Sequence, residues 1–322
     1  MSIAAIVIGR NEGGRLIRCL ASVAGEVDRV IYVDSGSTDG SIAAAQDAGA
    51  EVVELDTALP FTAARARNAG LEALRAGPLP TYVQFVDGDC ELQPGWIAPA
   101  QAFLDDTRKA AVACGRRRER FPDASVYNRL CDREWDTPIG LAKACGGDAL
   151  IRMEALDAVG GYDPALIAGE EPEMCVRLRL KGWQVWRLDH EMTLHDAAMT
   201  RLGQWWNRTR RAGHAFAQGA ALHGRPPERH GVLETRRALF WGLALPLLIL
   251  LAILAISPWA SLLLLAYPAQ AVRLALRQGI TRRDSLEHAL FLTLGKFPEA
   301  LGALDYYWRR MRNRPAGLIE YK

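Results

Sequence analysis

No two of the six cysteines (Cys19, Cys90, Cys114, Cys131, Cys145 and Cys175) form a CxxC pair, and none has a closely spaced histidine. That spacing excludes a structural zinc site of local sequence, and scattered single thiols point to a reducing compartment. An excess of charge of one sign is missing too: 39 Lys and Arg face 37 Asp and Glu, a net charge of +2. Bulk electrostatics therefore gives no basis for nucleic-acid binding, and no nucleic-acid partner is expected. There are no internal repeats and no low-complexity linkers. A secretory leader is not recognisable either. The apolar run from Ile3 to Gly9 is short and meets Arg10, Asn11 and Glu12 at once, whereas a leader needs a basic start, a longer apolar stretch and a cleavage site. It reads as a first buried strand, which predicts an N-terminal domain in the cytoplasm.

What is present is a globular composition, 50% hydrophobic and 24% charged over 322 residues. It suffices for one large domain or a domain with an appendage, and fits neither a disordered chain, a collagen-like fibre nor a small stapled scaffold. The first two hundred residues alternate strand and helix patterns. Strands are predicted at Ile3–Ile8, Val30–Val33, Glu51–Leu55 and Tyr82–Val86, and helices over Gly13–Ala24, Ser41–Ala48 and Ala63–Arg75. Such alternation predicts an α/β domain with a mostly parallel sheet flanked by helices.

Charge vanishes from Ala238 to Val272, a stretch of 35 residues with Arg236 and Arg237 before it and Arg273 and Arg277 after it. One bilayer crossing takes about 20 apolar residues, so the stretch is too long for one span. Ser257-Pro258 divides it, because proline disfavours helix at the residue before it. Two helices, Leu239–Ile256 and Trp259–Ala275, are predicted as a membrane hairpin with both arginine-bearing flanks in the cytoplasm. A buried helical pair of a soluble domain, or a shallow re-entrant hairpin, are the alternatives. Asp284 to Arg314 is predicted as an amphipathic helix, its aromatic and basic residues suited to lipid headgroups or to solvent. The expected organisation is a catalytic domain over 1–220, a basic interfacial segment over 221–237, the hairpin over 238–277 and a basic amphipathic region over 278–322.

Two acidic turns directly follow predicted strands: Asp34-Ser-Gly-Ser-Thr-Asp39 and Asp87-Gly-Asp89. Strand carboxyl ends of a parallel sheet lie along one edge, where ligands bind, so both turns are expected to face one pocket. Asp87 and Asp89 place two carboxylates within reach of one divalent cation, and Mn2+ or Mg2+ suits such oxygen ligands. A cation there stabilises a departing diphosphate, although an Asp- and Gly-rich turn is by itself usually only a turn. The third element is Gly169-Glu-Glu-Pro-Glu173, where Pro172 marks a helix start. Carboxylates there either complement the helix dipole or, for Glu171, are kept ionised as a general base.

The order of these motifs resembles the family 2 glycosyltransferases of GT-A fold. The matching pieces are Ile6-Val-Ile-Gly-Arg-Asn-Glu12, Asp34 to Asp39, Ala66-Arg-Asn-Ala-Gly-Leu71, Asp87-Gly-Asp89, Gly146-Gly-Asp-Ala-Leu-Ile-Arg152, Val159-Gly-Gly-Tyr-Asp163 and Gly169 to Glu173. Together they cover roughly residues 1–215. The resemblance implies inverting transfer of a sugar from a nucleotide-sugar donor. It places Asn11, Glu12, Asp34 and Arg67 near the nucleoside, Asp87 near the ribose and the metal, and Asp89 on the metal. Glu171 takes the position of the family's base, with Glu where the family has Asp. Ser35 stands where Asp is frequent, which leaves the donor base open.

His195 either lies near the diphosphate or is a structural histidine. Arg208 and Arg211, on the probable helix from Gln204 to Gly213, either bind donor phosphates, an anionic acceptor or lipid headgroups. The run Gly115-Arg-Arg-Arg-Glu-Arg120 is expected to be a solvated face, with contact to acceptor phosphates as the alternative. The resulting expectation is a metal-dependent hexosyl- or related transferase of the cell inner membrane. Its catalytic domain faces the cytoplasm, and its acceptor is a lipid-linked or envelope glycan. A metal-dependent nucleotidyltransferase, for which Gly9 to Gly14 offers only a faint phosphate loop, and an inactive membrane scaffold are the rivals.

Overall fold

The structure, a computed structural model, describes residues 2–279 and 283–312. The chain divides into two compact units, Met1–Ala198 and Met199–Lys322.

The first unit is built on a nine-stranded sheet. Its strands are β1 (Ile3–Gly9), β2 (Arg29–Asp34), β3 (Glu51–Glu54), β4 (Tyr82–Asp87), β5 (Cys90–Leu92), β6 (Ala110–Glu119), β7 (Gly140–Ala142), β8 (Ala149–Arg152) and β9 (Gln184–His195). They run in the order β3-β2-β1-β4-β8-β6-β9-β5, with β7 added to β9. The first half is parallel as expected, because each βαβ return passes through a helix (Gly14–Val23, Ser41–Asp47 or Ala63–Arg75). Beyond β4 the sheet becomes mixed: β8 is antiparallel to β4 and β6, and β5 and β7 are antiparallel to β9. Apolar β-branched and aromatic residues of the central strands, among them Ile6, Ile31, Tyr32 and Phe85, are fully buried against Leu16, Leu71 and Leu74 of the helices. Register then fixes the functional edge. Gly9 pairs with Asp34 and Ile8 with Asp87, so the turns after β1, β2 and β4 leave the sheet at one level.

Two expectations change here. The run 115–120 is not a solvated face: it forms the end of β6, an interior strand, where Arg116 and Glu119 are buried. Alternation along a strand sends neighbouring side chains to opposite faces, and within this run Arg118 alone stays exposed, paired with Glu191. The strand-like Gln184–Leu188 extends to His195, bringing that histidine into β9 beside Cys90 of β5.

The second unit is helical. The helix Leu202–His223, placed in the catalytic domain on sequence, counts with this unit. It packs on Lys296–Met311, with Gly213 against the backbone of Glu299 and Gly302 against that of Arg210. At these crossings a β-carbon would collide with main chain. Val232–Ala255 forms one continuous helical segment, and Pro258–Arg277 a second; both are long and apolar enough to cross a membrane. Their outer residues are bare, with Leu254 74%, Ile256 82% and Trp259 78% exposed. Ser257, extended before Pro258, separates them, and its hydroxyl accepts the Trp259 N–H. A π-helical turn at Phe240–Ala244 widens the first segment, and the Tyr267 hydroxyl donates to the Trp241 carbonyl at 2.8 Å. The single amphipathic helix expected over 284–314 is two helices, Arg283–Leu294 and Lys296–Met311, meeting at Gly295, a poor helix former. Residues 313 and 314 lie outside the described residues.

Candidate active site

Asp34 ends β2 and folds its own turn. Its Oδ2 accepts the Gly36 and Ser37 N–H groups at 2.9 and 2.7 Å, and its Oδ1 accepts the Tyr32 hydroxyl at 2.9 Å. The turn after β1 clasps this one: Asn11 Oδ1 accepts the Thr38 N–H at 2.7 Å, and the Asn11 N–H donates to Ser37 Oγ. Asn11 holds a left-handed conformation to do so (φ 56°), which asparagine tolerates better than most residues. Glu12 pairs with Arg15 at 2.7 Å. These contacts make the turns after β1 and β2 one ledge.

Asp87 ends β4 in a different setting. Arg67 Nη2 reaches its Oδ1 at 2.8 Å and Arg117 Nη2 its Oδ2 at 3.0 Å. Burial opposes ionisation of Asp87, but the two guanidinium groups outweigh it and hold the carboxyl well below the usual carboxylate range. Arg67 also binds Glu170 Oε1 at 2.7 Å, tying the end of β4 to the helix Glu170–Leu180. Gly147 makes this approach feasible, because a β-carbon there would lie 2.5 Å from Asp87 Oδ2. Asp148, fully buried, accepts the Asp87 N–H at 2.9 Å and the Thr193 hydroxyl at 2.8 Å, and lies 3.4 Å from Arg117 Nε. Asp87, expected to share a cation with Asp89, thus has both oxygens engaged by arginines.

Asp89 is brought instead to His195, whose Nε2 lies 3.3 Å from its Oδ2. The ligand atoms of Asp89, Cys90 and His195 all lie within 4.8 Å of one another. His195 Nδ1 points to Glu119 Oε2 at 3.5 Å, and the Trp135 ring packs edge-on at 4.6 Å while also meeting Arg117. Burial, with Arg117 adding to it, pushes His195 below its ordinary value and disfavours the protonated ring. A proton on Nδ1, facing the Glu119 carboxylate, leaves the Nε2 lone pair facing Asp89. Two electron-rich groups at that distance suit a shared cation.

The helix Glu170–Leu180 starts after Gly169, which caps it in a left-handed conformation (φ 75°). Glu171 is its second residue. Its Oε1 accepts the Cys145 N–H at 2.5 Å and the Cys175 thiol at 3.1 Å. The sequence suggested a carboxylate kept ionised by the helix dipole; burial instead pushes the Glu171 carboxyl up, and the backbone bond offsets this only in part. Glu173 is turned away and paired with Arg177. Arg208 and Arg211 lie on the helix Leu202–His223 of the second unit. Reasoning from sequence missed Arg117, Glu119, Trp135 and Asp148. Strand alternation in β6 carried a signal for Arg117 and Glu119, two residues apart on one strand, and Asp148 stood within a quoted motif without a role.

A mixed sheet with helices on its faces, acidic turns at the ends of β2 and β4, and a helix start carrying carboxylates beside them define the GT-A fold of nucleotide-diphospho-sugar transferases. Residues 4–159 match the family model described as Glycosyl transferase family 2. Among curated proteins, the succinoglycan biosynthesis protein ExoA of Rhizobium meliloti is 26% identical over 171 residues, covering 50% of this chain and 52% of that protein. A TPR repeat-containing protein of Synechococcus elongatus is 44% identical over 124 residues, 38% of this chain and 29% of that protein. The chain therefore matches about half, or less, of these relatives' own length. Among solved structures, the mannosyltransferase PcManGT from Pyrobaculum calidifontis, in complex with GDP-Man and Mn2+, superposes with a TM-score of 0.65 at 20% identity, over 96% of this chain and 88% of that one. Glucosyl-3-phosphoglycerate synthase from Mycobacterium tuberculosis, in complex with Mg2+ and UDP, gives a TM-score of 0.51 at 19% identity, over 70% and 80%. At these identities the likeness is one of fold.

Proposed function

We propose that the protein is an inverting glycosyltransferase that moves a sugar from a nucleotide-sugar donor to a hydroxyl group of a lipid-linked or envelope-glycan acceptor, at the cytoplasmic face of the cell inner membrane. The observation that carries the reading is one connected set of side chains in a family 2 domain: Asp89 with His195, then Asp87, Arg67 and Glu170, then Glu171 at the helix start. Asp89 and His195, with Cys90 beside them, would hold Mn2+ or Mg2+, and the bound cation supplies charge neutralisation to the diphosphate as it leaves. The metal complexes of the two fold neighbours support that choice. The ledge built by Asn11, Glu12 and Asp34 seats the nucleoside, and Arg67, held by Asp87 and Glu170, fixes the floor beneath it. Glu171 is anchored through Oε1 and takes the acceptor proton at Oε2, freeing the oxygen to attack the anomeric carbon opposite the nucleotide. A base whose carboxyl is raised toward neutrality matches that task.

Two exposed apolar segments bounded by Arg236, Arg237, Arg273 and Arg277 support a hairpin in the membrane with those flanks on the cytoplasmic side. That position suits an acceptor carried on lipid, whose phosphates, or the headgroups around them, Arg208 and Arg211 of the helix Leu202–His223 would meet. The test is a thermal-shift titration of detergent-solubilised protein with UDP, GDP, dTDP and CDP, with and without Mn2+. A nucleotide at 100 times its Kd stabilises by about 2.7 kcal/mol. Manganese-dependent stabilisation by one nucleotide, lost in Asp89→Ala, is the expected result; indifference to all four would refute the reading.

A further inference from the structure

Beneath the helix start lies a second donor set, chemically unlike the first. Cys145 Sγ and Cys175 Sγ stand 3.7 Å apart, and Cys175 Sγ is 3.1 Å from Glu171 Oε1. The ligand atoms of all three lie within 4.8 Å of one another. Two thiolates on a tetrahedral zinc, each about 2.3 Å from the metal, are separated by about 3.8 Å. A thiolate and a carboxylate oxygen on the same ion are separated by about 3.5 Å. The observed pair thus has the spacing of two corners of such a site, and the carboxylate needs to withdraw by only a few tenths of an ångström. Cys175 sits one helical turn after Glu171 on the same helix, and Cys145 comes from the loop before β8, so the three converge without rearrangement of the backbone. Cys145 and Glu171 retain slight exposure, 8% and 6%, which gives the cluster an open side.

We propose that Cys145, Cys175 and Glu171 form a site for a thiophilic divalent cation of the zinc and cadmium class, and that occupation of this site silences sugar transfer. The second half rests on the assignment of Glu171 as base; the first does not. Binding displaces one proton from each thiol, forms two metal–sulfur bonds and one metal–oxygen bond at Glu171 Oε1, and so withdraws electron density from the carboxylate whose Oε2 would receive the acceptor proton. Water completes the coordination. Mg2+ and Mn2+ are poorly served by a pair of thiolates and are not expected to enter, so one protein would distinguish its working cation from an inhibitory one by ligand softness.

The test uses the full chain in detergent, thiols kept reduced with a phosphine and Mn2+ in excess. Cadmium is titrated while sulfur-to-cadmium charge-transfer absorption is recorded in the ultraviolet, and transfer is assayed in parallel with zinc. The band should appear in the wild-type protein and in Cys131→Ala. In both Cys145→Ala and Cys175→Ala cadmium binding at this site should weaken by at least about tenfold. Zinc inhibition should be relieved in Cys145→Ala. An undiminished band in both variants would place the metal on another thiol, such as Cys90, and overturn the site. A band lost in those variants alongside unimpaired wild-type turnover would overturn the silencing. Full turnover of Glu171→Gln would instead remove the base assignment and leave the metal site standing.

Discussion

Arg67 ties the end of β4 to the start of the helix Glu170–Leu180. Buried and shared between Asp87 and Glu170, its loss would strand two carboxylates in a desolvated place. Arg67→Ala is expected to cost about 3–5 kcal/mol, read as a fall in Tm, and Arg67→Lys should rescue it poorly because an ammonium cannot fork to both partners. Glu171→Gln separates chemistry from folding. Turnover should fall about 10²- to 10⁴-fold with donor affinity intact. Because burial raises the Glu171 carboxyl, its ionised form is disfavoured in the folded protein, a cost fully present above the folded pKa and gone only below the ordinary glutamate value. The glutamine variant should therefore melt no lower than the parent at neutral pH, and higher if that cost is large. By the same sign, activity should fall with acidification through a limb lying above the ordinary glutamate range of about 4.3, visible in the pH profile of kcat/KM. The acids of the site were legible in the sequence because acid-rich turns after apolar strands are rare and local. Their partners were not: Arg117 meets Asp87 across 30 positions and Asp148 meets it across 61, and nothing near either residue announces the pairing.

At the level of elements, the first four strands and the helices between them were readable because each βαβ unit declares itself by a change of period from 2 to 3.6. The rest was not, because β5, β7 and β8 are only three or four residues long, and antiparallel pairing among short strands is settled by long-range contacts. The boundary at Gly295 was hidden for the opposite reason, a continuous amphipathic pattern on both sides of it. Within the second unit, the carbonyl of Trp241, on the widened turn, receives the hydroxyl of Tyr267. In an apolar medium a backbone group without a partner is costly, so Tyr267→Phe should destabilise by about 1–3 kcal/mol in detergent unfolding, more than an exposed substitution such as Leu262→Ala. Gly302→Leu should do more damage, since its side chain would be driven into the backbone of Arg210.

For the molecule as a whole, the two bare apolar segments decide how it must be handled. The chain is expected to sediment with membranes and to resist extraction by high salt and alkaline carbonate, yielding only to detergent; recovery in the carbonate supernatant would sink the hairpin. The burial of all six thiols has a practical consequence for the same question. A folded protein whose native sulfhydryls are shielded is a quiet background for site-directed labelling. A single new thiol at exposed Ser261, beside the break between the apolar segments, or at Arg237 on the flank, would be the dominant handle for a membrane-impermeant maleimide. Comparing intact and opened vesicles would then report on which side each point resides, without first dismantling the core by replacing its own cysteines.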